Sequence, residues 1–262
     1  MRIALAQVDS RVGDLDANVK RAREAVAEAR AGGADLVVFP ELQLSGYGLG
    51  SGADASCSAA DAAALADGVA AVVGFTERED EQRYNSAVYA EEGAPLHVQR
   101  KIHLVDYPPW DEDAHFAPGD SLSAFDKKAM LICNDAWQPL LPVLAVQGGA
   151  ELLLVPSASA TTMPDVEEYW CGLTTFYARM LQCYVVFVNR VGTEGAFTFW
   201  GGSHVVDPLG EVIAEAPRFE ESVLLVDVDL DRVAARRAEL PLVGALRPEL
   251  LRAELDRLTA RA

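Results

Sequence analysis

A strand, a turn, a helix and a second strand can be read in AMLICNDAWQPLLPVLAVQGGAELLLVPSAS, residues 129–159. The first five residues predict a buried strand, residues 140–147 a short helix, and ELLLVPSAS another strand. Between the first strand and the helix, the apolar run breaks at Cys133 into a polar turn. A cysteine is often only a small hydrophobic residue, but it is also a strong nucleophile near neutral pH.

The same alternation continues along the chain, which predicts a mixed α/β fold. The predicted strands are residues 2–8, 35–41, 71–77, 184–191 and 222–230, and the predicted helices are 16–34, 59–71 and 166–182. Hairpins are predicted at 84–101 and 202–216. The Gly/Ser/Ala stretch at 48–60 resembles a flexible surface loop more than a domain boundary. We therefore expect residues 1–262 to form a single domain.

The charge balance limits the classes of partner. The chain of 262 residues has 22 Lys and Arg against 40 Asp and Glu, which gives a net charge of −18. Its 50% of hydrophobic residues is ordinary for a soluble globular protein. So acidic a chain should repel nucleic acid and anionic lipid, and we expect neither nucleic acid nor a membrane as a partner.

The cysteines and histidines indicate a reduced, metal-free protein. The N-terminal sequence MRIALAQVDS lacks the features of a signal peptide, and no apolar run approaches the roughly 20 residues of a membrane span. The four cysteines form no C-x-x-C pair, and the four histidines lack metal-ligand spacing. We therefore expect a cytoplasmic protein without a disulfide framework, a metal or a cofactor.

Three reactive side chains follow predicted strands. Glu41 comes after LVVFP, Lys101 after LHVQR, and Cys133 after MLI. Ligands in α/β proteins gather just beyond the carboxyl ends of the strands. Each residue alone has an ordinary explanation, as a solvated carboxylate, a surface lysine or a packed cysteine. Their joint occurrence suggests a site, although spacing alone does not prove it.

Five segments make the interpretation specific. FPELQLSGY, RKIHL, WDEDAHFAPGD and LICNDAWQP occur in this order and resemble the four signature segments of the carbon–nitrogen hydrolase (nitrilase) superfamily. GGSHVVDPLGEVIAEA resembles a later hairpin of the same family, so the match covers almost the whole chain. The resemblance implies a four-layer α-β-β-α sandwich that usually pairs into homodimers. It also implies a Glu–Lys–Cys triad at Glu41, Lys101 and Cys133, with a second active-site glutamate at Glu112.

The chemistry of these residue types fits the cleavage of an amide. Glu41 can take the proton of the Cys133 thiol, and the thiolate can attack the carbon of the amide. Lys101 and the backbone N–H of Asn134 are the expected donors to the oxyanion. Glu112 can hold Lys101 and orient the amino group of the substrate. True nitrilases have a Trp–Glu pair after the cysteine; Asn134 stands there instead, which disfavours a nitrile.

The sequence says less about the substrate. Tyr47 and Trp137, with Tyr107 and Trp110, are candidates to line an apolar pocket, although single aromatic residues usually belong to a core. A second group comprises acids that either attract a cationic amide or complement a helix dipole, the more ordinary explanation: Asp165, Glu167 and Glu168.

The leading hypothesis is a thiol hydrolase that cleaves a small linear amide or an N-carbamoyl compound through a cysteine thioester. One alternative is an acyltransferase that uses the same thioester, and another is a non-catalytic binding protein that retains the fold. A cysteine–histidine hydrolase would need a histidine beside Cys133, for which His204 is the candidate.

Overall fold

The structure is a computed structural model that describes residues 1–48 and 55–260. The first half of the chain forms β1 (Arg2–Gln7), α1 (Leu15–Ala31), β2 (Leu36–Val38), α2 (Ala59–Ala63), β3 (Ala70–Glu79), β4 (Gln82–Glu91) and β5 (Ala94–Arg100). The second half forms β6 (Lys128–Met130), α3 (Leu140–Gln147), β7 (Leu152–Ser157), α4 (Val166–Leu181), β8 (Tyr184–Asn189), β9 (Val191–Glu194), β10 (Phe197–Trp200), β11 (His204–Val206), β12 (Val212–Glu215), β13 (Ser222–Asp227), α5 (Asp231–Glu239) and α6 (Pro248–Thr259).

Two mixed sheets organise these strands. The first has the order β13-β1-β2-β3-β4-β5, and the second has the order β12-β11-β8-β7-β6. In each sheet the three strands that are linked by helical connections run parallel: β1, β2 and β3 in the first, and β6, β7 and β8 in the second. Hairpins add the antiparallel strands β4, β5, β11 and β12 at the edges. The predicted hairpins are therefore present.

Strand β1 shows how the layers stack. Ala4 and Ala6 belong to a core beneath α1, to which that helix contributes small side chains such as Ala25. Ile3 and Leu5 belong to a second core, which lies between the two sheets. Because side chains alternate across a strand, the continuous apolar run is explained by burial of both faces.

The far side of the second sheet is covered by α3 and α4. Leu153 and Val155 of β7 share a third core with Trp170 and Tyr177 of α4. The order of layers is thus helices, sheet, sheet and helices. The predicted α/β class and four-layer α-β-β-α sandwich are confirmed.

Between β2 and β3, the sequence predicted a surface loop and a helix. The structure corrects the helix and describes only part of the loop. The predicted helix 59–71 is wrong over most of its length, because α2 ends at Ala63 and the chain turns at Gly68, with φ +70°, before β3. The surface loop predicted at 48–60 falls partly on residues 49–54, which lie outside the described residues. Of its remainder, Ala55 is buried and Ala59 already begins α2.

Within residues 1–48 and 55–260, none of the helices combines the length and the apolar character needed to cross a bilayer. The longest helix of this part, α1, has 17 residues.

Gly74 in the middle of β3 allows the turn after β2 to pack onto the sheet. A Cβ at this position would lie 2.3 Å from the carbonyl oxygen of Pro40 and 2.6 Å from the amide nitrogen of Leu42. Both contacts are with backbone atoms on either side of Glu41, so a side chain at Gly74 would push that turn away. The absence of a Cβ at Gly74 therefore helps to place Glu41.

We predict that Gly74→Ala lowers the urea midpoint of unfolding by an amount equivalent to about 1–3 kcal/mol, the usual cost of overpacking. Gly172→Ala on α4 is the matched control, because a Cβ there would meet nothing within 4 Å. Ala is favoured over Gly in a helix, so this control should be neutral or stabilising by up to about 1 kcal/mol. Equal midpoints for Gly74→Ala and the wild type would contradict the packing argument.

Candidate active site

The site is built around the ammonium group of Lys101. Lys101 directly follows β5, and its Nζ lies 2.7 Å from Oε1 of Glu41 and 2.7 Å from Oε1 of Glu112. All three side chains are completely buried. Two carboxylates and one ammonium give this cluster a formal charge of −1 when all three groups are ionised.

Each of the four carboxylate oxygens of Glu41 and Glu112 accepts a hydrogen bond from a group other than Lys101. Asn85 on β4 donates from Nδ2 to Oε1 of Glu41 at 2.7 Å, and the Ala158 N–H donates to Oε2 at 2.9 Å. Oε2 of Glu112 accepts from the Val105 N–H at 2.9 Å. The Tyr47 hydroxyl donates to Oε1 of Glu112. Each carboxylate is therefore fixed in orientation as well as in position.

Cys133 lies in a turn and not in a strand, contrary to the prediction for residues 129–133. β6 ends at Met130, and Cys133 begins a 3-10 turn that ends at Trp137. Its φ of +46° lies in the left-handed region, which costs a non-glycine residue on the order of 1–3 kcal/mol. The Ala158 amide that binds Glu41 also interacts with the sulfur of Cys133. The thiol therefore lies beside the Glu41–Lys101–Glu112 cluster.

The buried carboxylate of Asp135 ties the segment after Lys101 to the segment that carries Cys133. Oδ1 accepts from the N–H groups of Ile102 at 3.0 Å and His103 at 2.8 Å. Oδ2 accepts from the N–H of Ile132, at 3.2 Å. These three hydrogen bonds hold the residues that flank Lys101 and Cys133 on one carboxylate.

Burial determines the protonation of the site. Burial, reinforced by Glu41, raises the pKa of the Cys133 thiol well above its ordinary value, so the sulfur is protonated at neutral pH. Burial opposes the charge of Lys101, but Glu112 and Glu41 outweigh it and raise the pKa of that ammonium well above its ordinary value. Burial also raises the pKa of Glu112, against the attraction of Lys101. The resting site therefore contains a neutral thiol beside a charged ammonium.

A cavity of about 70 Å³ reaches Cys133. Asn134 and Trp137 from the same turn line it together with Tyr47, and so do Tyr107 and Trp110. The side chain of Asn134 is directed at the neighbouring loop, where Nδ2 donates to the carbonyl oxygen of His103 at 3.1 Å. The structure thus brings together all seven of the residues predicted for the site: Glu41, Tyr47, Lys101, Glu112, Cys133, Asn134 and Trp137.

The acids proposed to attract a cationic substrate, and the histidine considered for a cysteine–histidine hydrolase, lie outside this cavity. Glu167 forms an ion pair with Arg218 at 2.9 Å, and Asp165 and Glu168 line a separate groove on α4. None of these three acids lines the cavity at Cys133. The ring of His204 is buried, with Nε2 2.9 Å from the Thr174 hydroxyl oxygen, and does not line the cavity either.

Two buried polar residues of the site gave no usable signal in the sequence. Asn85 lies within the strand segment YNSAV, and Asp135 lies in the turn after Cys133. Asn85 contacts a residue 44 positions away, and Asp135 contacts the backbone 32 and 33 positions away. Neither residue is unusual at its position, because a polar residue in a hairpin strand can face solvent and an aspartate in a turn is common.

Among the residues that the structure describes, no group of three or more His, Cys, Asp or Glu side chains is arranged to hold a metal ion. A larger groove, of about 560 Å³, lies beside α1 and contains none of the predicted site residues.

Two curated relatives differ in how much of their length this chain covers. The glutamine-dependent NAD(+) synthetase of Thermotoga maritima is 33% identical over 256 residues, which cover 88% of this chain but 42% of the relative. The chain therefore spans less than half the length of that synthetase. An (R)-stereoselective amidase of Pseudomonas sp. is 34% identical over 255 residues, covering 91% of this chain and 89% of the amidase.

A solved structure and a family model complete the comparison. The structure is that of a variant of the amidase from Nesterenkonia sp. AN1, showing covalent addition of the acetamide moiety of fluoroacetamide at the active-site cysteine. It is 29% identical with a TM-score of 0.78, and the match covers 97% of this chain and 96% of that one. The carbon-nitrogen hydrolase family model matches residues 2–238. The chain therefore belongs to the carbon–nitrogen hydrolase family, in the amidase-like branch of the nitrilase superfamily.

Proposed function

We propose that this protein is a thiol amidohydrolase that cleaves a non-peptide C–N bond of a small linear amide or N-carbamoyl compound. The reaction passes through a thioester on Cys133 and releases ammonia or an amine. The observation that carries the proposal is the fully buried Lys101 ammonium, 2.7 Å from both Glu41 and Glu112, beside the Cys133 thiol that lines the cavity. The covalent adduct at the active-site cysteine of the related amidase also supports it.

Glu41 is the general base in this proposal. Because the Cys133 thiol is protonated at rest, its proton must leave as the sulfur attacks the amide carbon. Glu41 takes that proton and returns it to the departing nitrogen, which leaves a thioester on the sulfur. Water then attacks the thioester, again with Glu41 as the base. The carboxylic acid product is released, and the Cys133 thiol is regenerated.

Lys101 stabilises the negative oxygen of the tetrahedral intermediate. Its Nζ carries three donors, and contacts with Glu41 and Glu112 use two of them. The third is available to the oxyanion, together with the backbone N–H of Asn134. Loss of one such donor typically costs about 100- to 1000-fold in rate.

Glu112 and Tyr47 support this geometry. Glu112 is the second carboxylate that anchors Lys101, and Tyr47 donates to the same oxygen of Glu112 that Lys101 contacts. The second oxygen of Glu112 is fixed by the Val105 N–H. Glu112 is thus positioned to keep Lys101 in place and to accept a hydrogen bond from the amino group of the substrate.

Two other outcomes of the same chemistry remain candidates. The similarity to glutamine-dependent NAD(+) synthetases makes glutamine a compound to test beside the small amides. The thioester can also pass to an acceptor other than water, which would make the protein an acyltransferase. Both differ from the main proposal in the identity of the acyl group or its acceptor and share the Cys133 thioester. A non-catalytic protein would form no thioester at all.

We predict that Cys133→Ala abolishes ammonia release from a panel of aliphatic amides, N-carbamoyl amines, glutamine and nitriles. Cys171→Ala, at an exposed position on α4, is the matched control and should retain activity. Mass spectrometry of the trapped wild type should find the acyl adduct on Cys133. Because losses of a catalytic nucleophile run to several orders of magnitude, residual activity above about 1% would place the nucleophile elsewhere. Adding hydroxylamine as an acceptor distinguishes acyl transfer from hydrolysis.

We predict that Glu112→Gln lowers kcat by roughly 100-fold or more, the scale of a mispositioned catalytic group, with folding preserved. The variant keeps the shape of the side chain but removes one of the two charges that stabilise the Lys101 ammonium. Asp111→Asn and Asp113→Asn are matched controls in the same acidic run and should change the rate by a few-fold at most, since both residues are exposed. Small and equal effects at all three positions would remove Glu112 from the catalytic set.

We predict that alkylation of Cys133 by iodoacetamide has its pH midpoint above the value of about 8.5 for a free cysteine. Burial and Glu41 raise the pKa of this thiol, so its thiolate forms only as the pH rises further. Glu41→Gln removes a nearby negative charge and should move the midpoint to lower pH, while it reduces amide turnover by roughly 100- to 10,000-fold through loss of the base. Glu77 lies on β3 and pairs with Arg100. Glu77→Gln is the control for removal of a carboxylate outside the site and should leave the midpoint unchanged. A midpoint that rises in Glu41→Gln would contradict the proposed electrostatics.

We also propose a homodimer formed through α3 and α4. These helices expose apolar side chains along one side of the molecule: Leu140, Leu144, Tyr169, Phe176 and Met180. Light scattering at micromolar concentration should give about twice the monomer mass. Phe176→Asp should shift the protein to the monomer, whereas Val212→Asp on β12 should not. A wild-type protein that is monomeric at these concentrations would refute the proposal.

A further inference from the structure

The wall of the cavity at Cys133 comes from parts of the chain that contain no Lys or Arg. All the lining residues that the structure describes fall within the segments 31–77, 102–126 and 129–178. Apart from His103 and His115, every side chain in these segments that carries a charge at neutral pH is Asp or Glu. This holds for the whole sequence of each segment, so the wall residues can supply no basic side chain to an anionic substrate.

Three of the hydrogen-bond donors in the wall are already engaged. The Tyr47 hydroxyl donates to Glu112, and Nδ2 of Asn134 donates to the carbonyl oxygen of His103. The indole N–H of Trp170 donates to the hydroxyl oxygen of Ser159 at 2.9 Å. An anionic group in the cavity would therefore find these three donors already in use.

Lys101 and the two histidines of these segments each lie beside at least one carboxylate. Lys101 contacts two carboxylates, so the charge of its ammonium is already matched within the Glu41–Lys101–Glu112 cluster. Nδ1 of His103 lies 3.7 Å from Asp135, and Nε2 of His115 lies 3.5 Å from Asp111. Neither histidine lines the cavity.

The buried guanidinium of Arg190 is likewise compensated. It packs on the ring of Phe199, 4.2 Å from its centroid, and forms ion pairs with Asp9, at 2.7 Å, and Glu194. Arg190 does not line the cavity. Arg190 therefore has no surplus positive charge to offer a carboxylate on a substrate.

We infer that the cavity selects amides whose acyl group is uncharged and excludes amides that bear a carboxylate, glutamine among them. This inference rests on the proposed function. A carboxylate that enters this cavity loses its water without gaining a basic side chain from the wall, and the ammonium that it approaches is already paired with two carboxylates. A neutral chain of the same length gains contact with the aromatic wall and meets neither penalty. The protein therefore differs in substrate class from what the name of its glutamine-dependent relatives states.

The test compares glutaramide with glutaramate, which have the same length and differ in one terminal group. We expect kcat/KM for glutaramide to exceed that for glutaramate by roughly 100-fold or more, since an unpaired buried charge is costly. Glutaramide has two cleavable amide groups and glutaramate has one, but this accounts for only a twofold difference in kcat/KM. Values within about threefold of each other would overturn the inference.

Binding to Cys133→Ala separates this inference from the proposed function. We expect calorimetry to detect glutaramide and to find glutaramate at least tenfold weaker. Discrimination in binding without turnover of any amide by the wild type would overturn the proposed function and leave the charge selection standing. Equal binding of the two compounds, with turnover of glutaramide, would overturn the charge selection alone.

A cation introduced into the wall provides the converse test. Met163 lines the cavity and is 36% exposed, so a longer charged side chain can be accommodated there. Met163→Arg should raise the ratio of kcat/KM for glutaramate to that for glutaramide at least about fivefold relative to Met163→Gln, because arginine pairs with carboxylates in a bidentate geometry. Met163→Gln controls for the loss of the thioether and for the added polarity. An unchanged ratio would show that charge does not determine the selectivity.

Discussion

The buried ammonium of Lys101 is the interaction on which the site depends. Removing three charges from water is costly, and their mutual attraction compensates for this only when the remaining hydrogen bonds are also satisfied. Here Asn85 and the Ala158 N–H complete the bonding of Glu41, and the Val105 N–H and Tyr47 complete that of Glu112. Loss of either carboxylate would leave a buried ion short of a partner, so the groups that can perform the chemistry also determine the packing around them.

The fold assembles this cluster from three turns that follow strands of different sheets. β2 and β5 belong to the first sheet, β6 belongs to the second, and the segments after them carry Glu41, Lys101 and Cys133. Asp135 links the segment after β5 to the segment after β6 through three backbone N–H groups. Gly74 permits the segment after β2 to lie directly on β3. The spacing between the reactive groups is therefore a property of how the two sheets meet.

The sequence predicted the reactive residues better than it predicted their supports. Glu41, Lys101 and Cys133 could be selected because each follows an apolar strand, and Glu112 only through the resemblance of its segment to a known family. Asn85 and Asp135 could not be selected, because what distinguishes them is a long-range contact that no local pattern encodes. Local patterns also overestimated α2, because the alanine-rich run 59–71 has helical composition, whereas the chain leaves the helix after Ala63, turns at Gly68 and enters β3 at Ala70.

The distribution of charge links the composition to the choice of substrate. A net charge of −18 is usually an argument about solubility and about which partners a protein repels. Here the same acidity extends to the segments that build the cavity, where Lys101 is the cation beside Cys133 and two glutamates already hold it. That ammonium has one N–H left to offer the charge that develops on the reacting oxygen, but its own charge is already matched by two carboxylates, so it has no surplus for a permanent anion on the substrate. A site that stabilises a transient oxyanion and rejects a resident carboxylate follows from one ammonium shared between two acids.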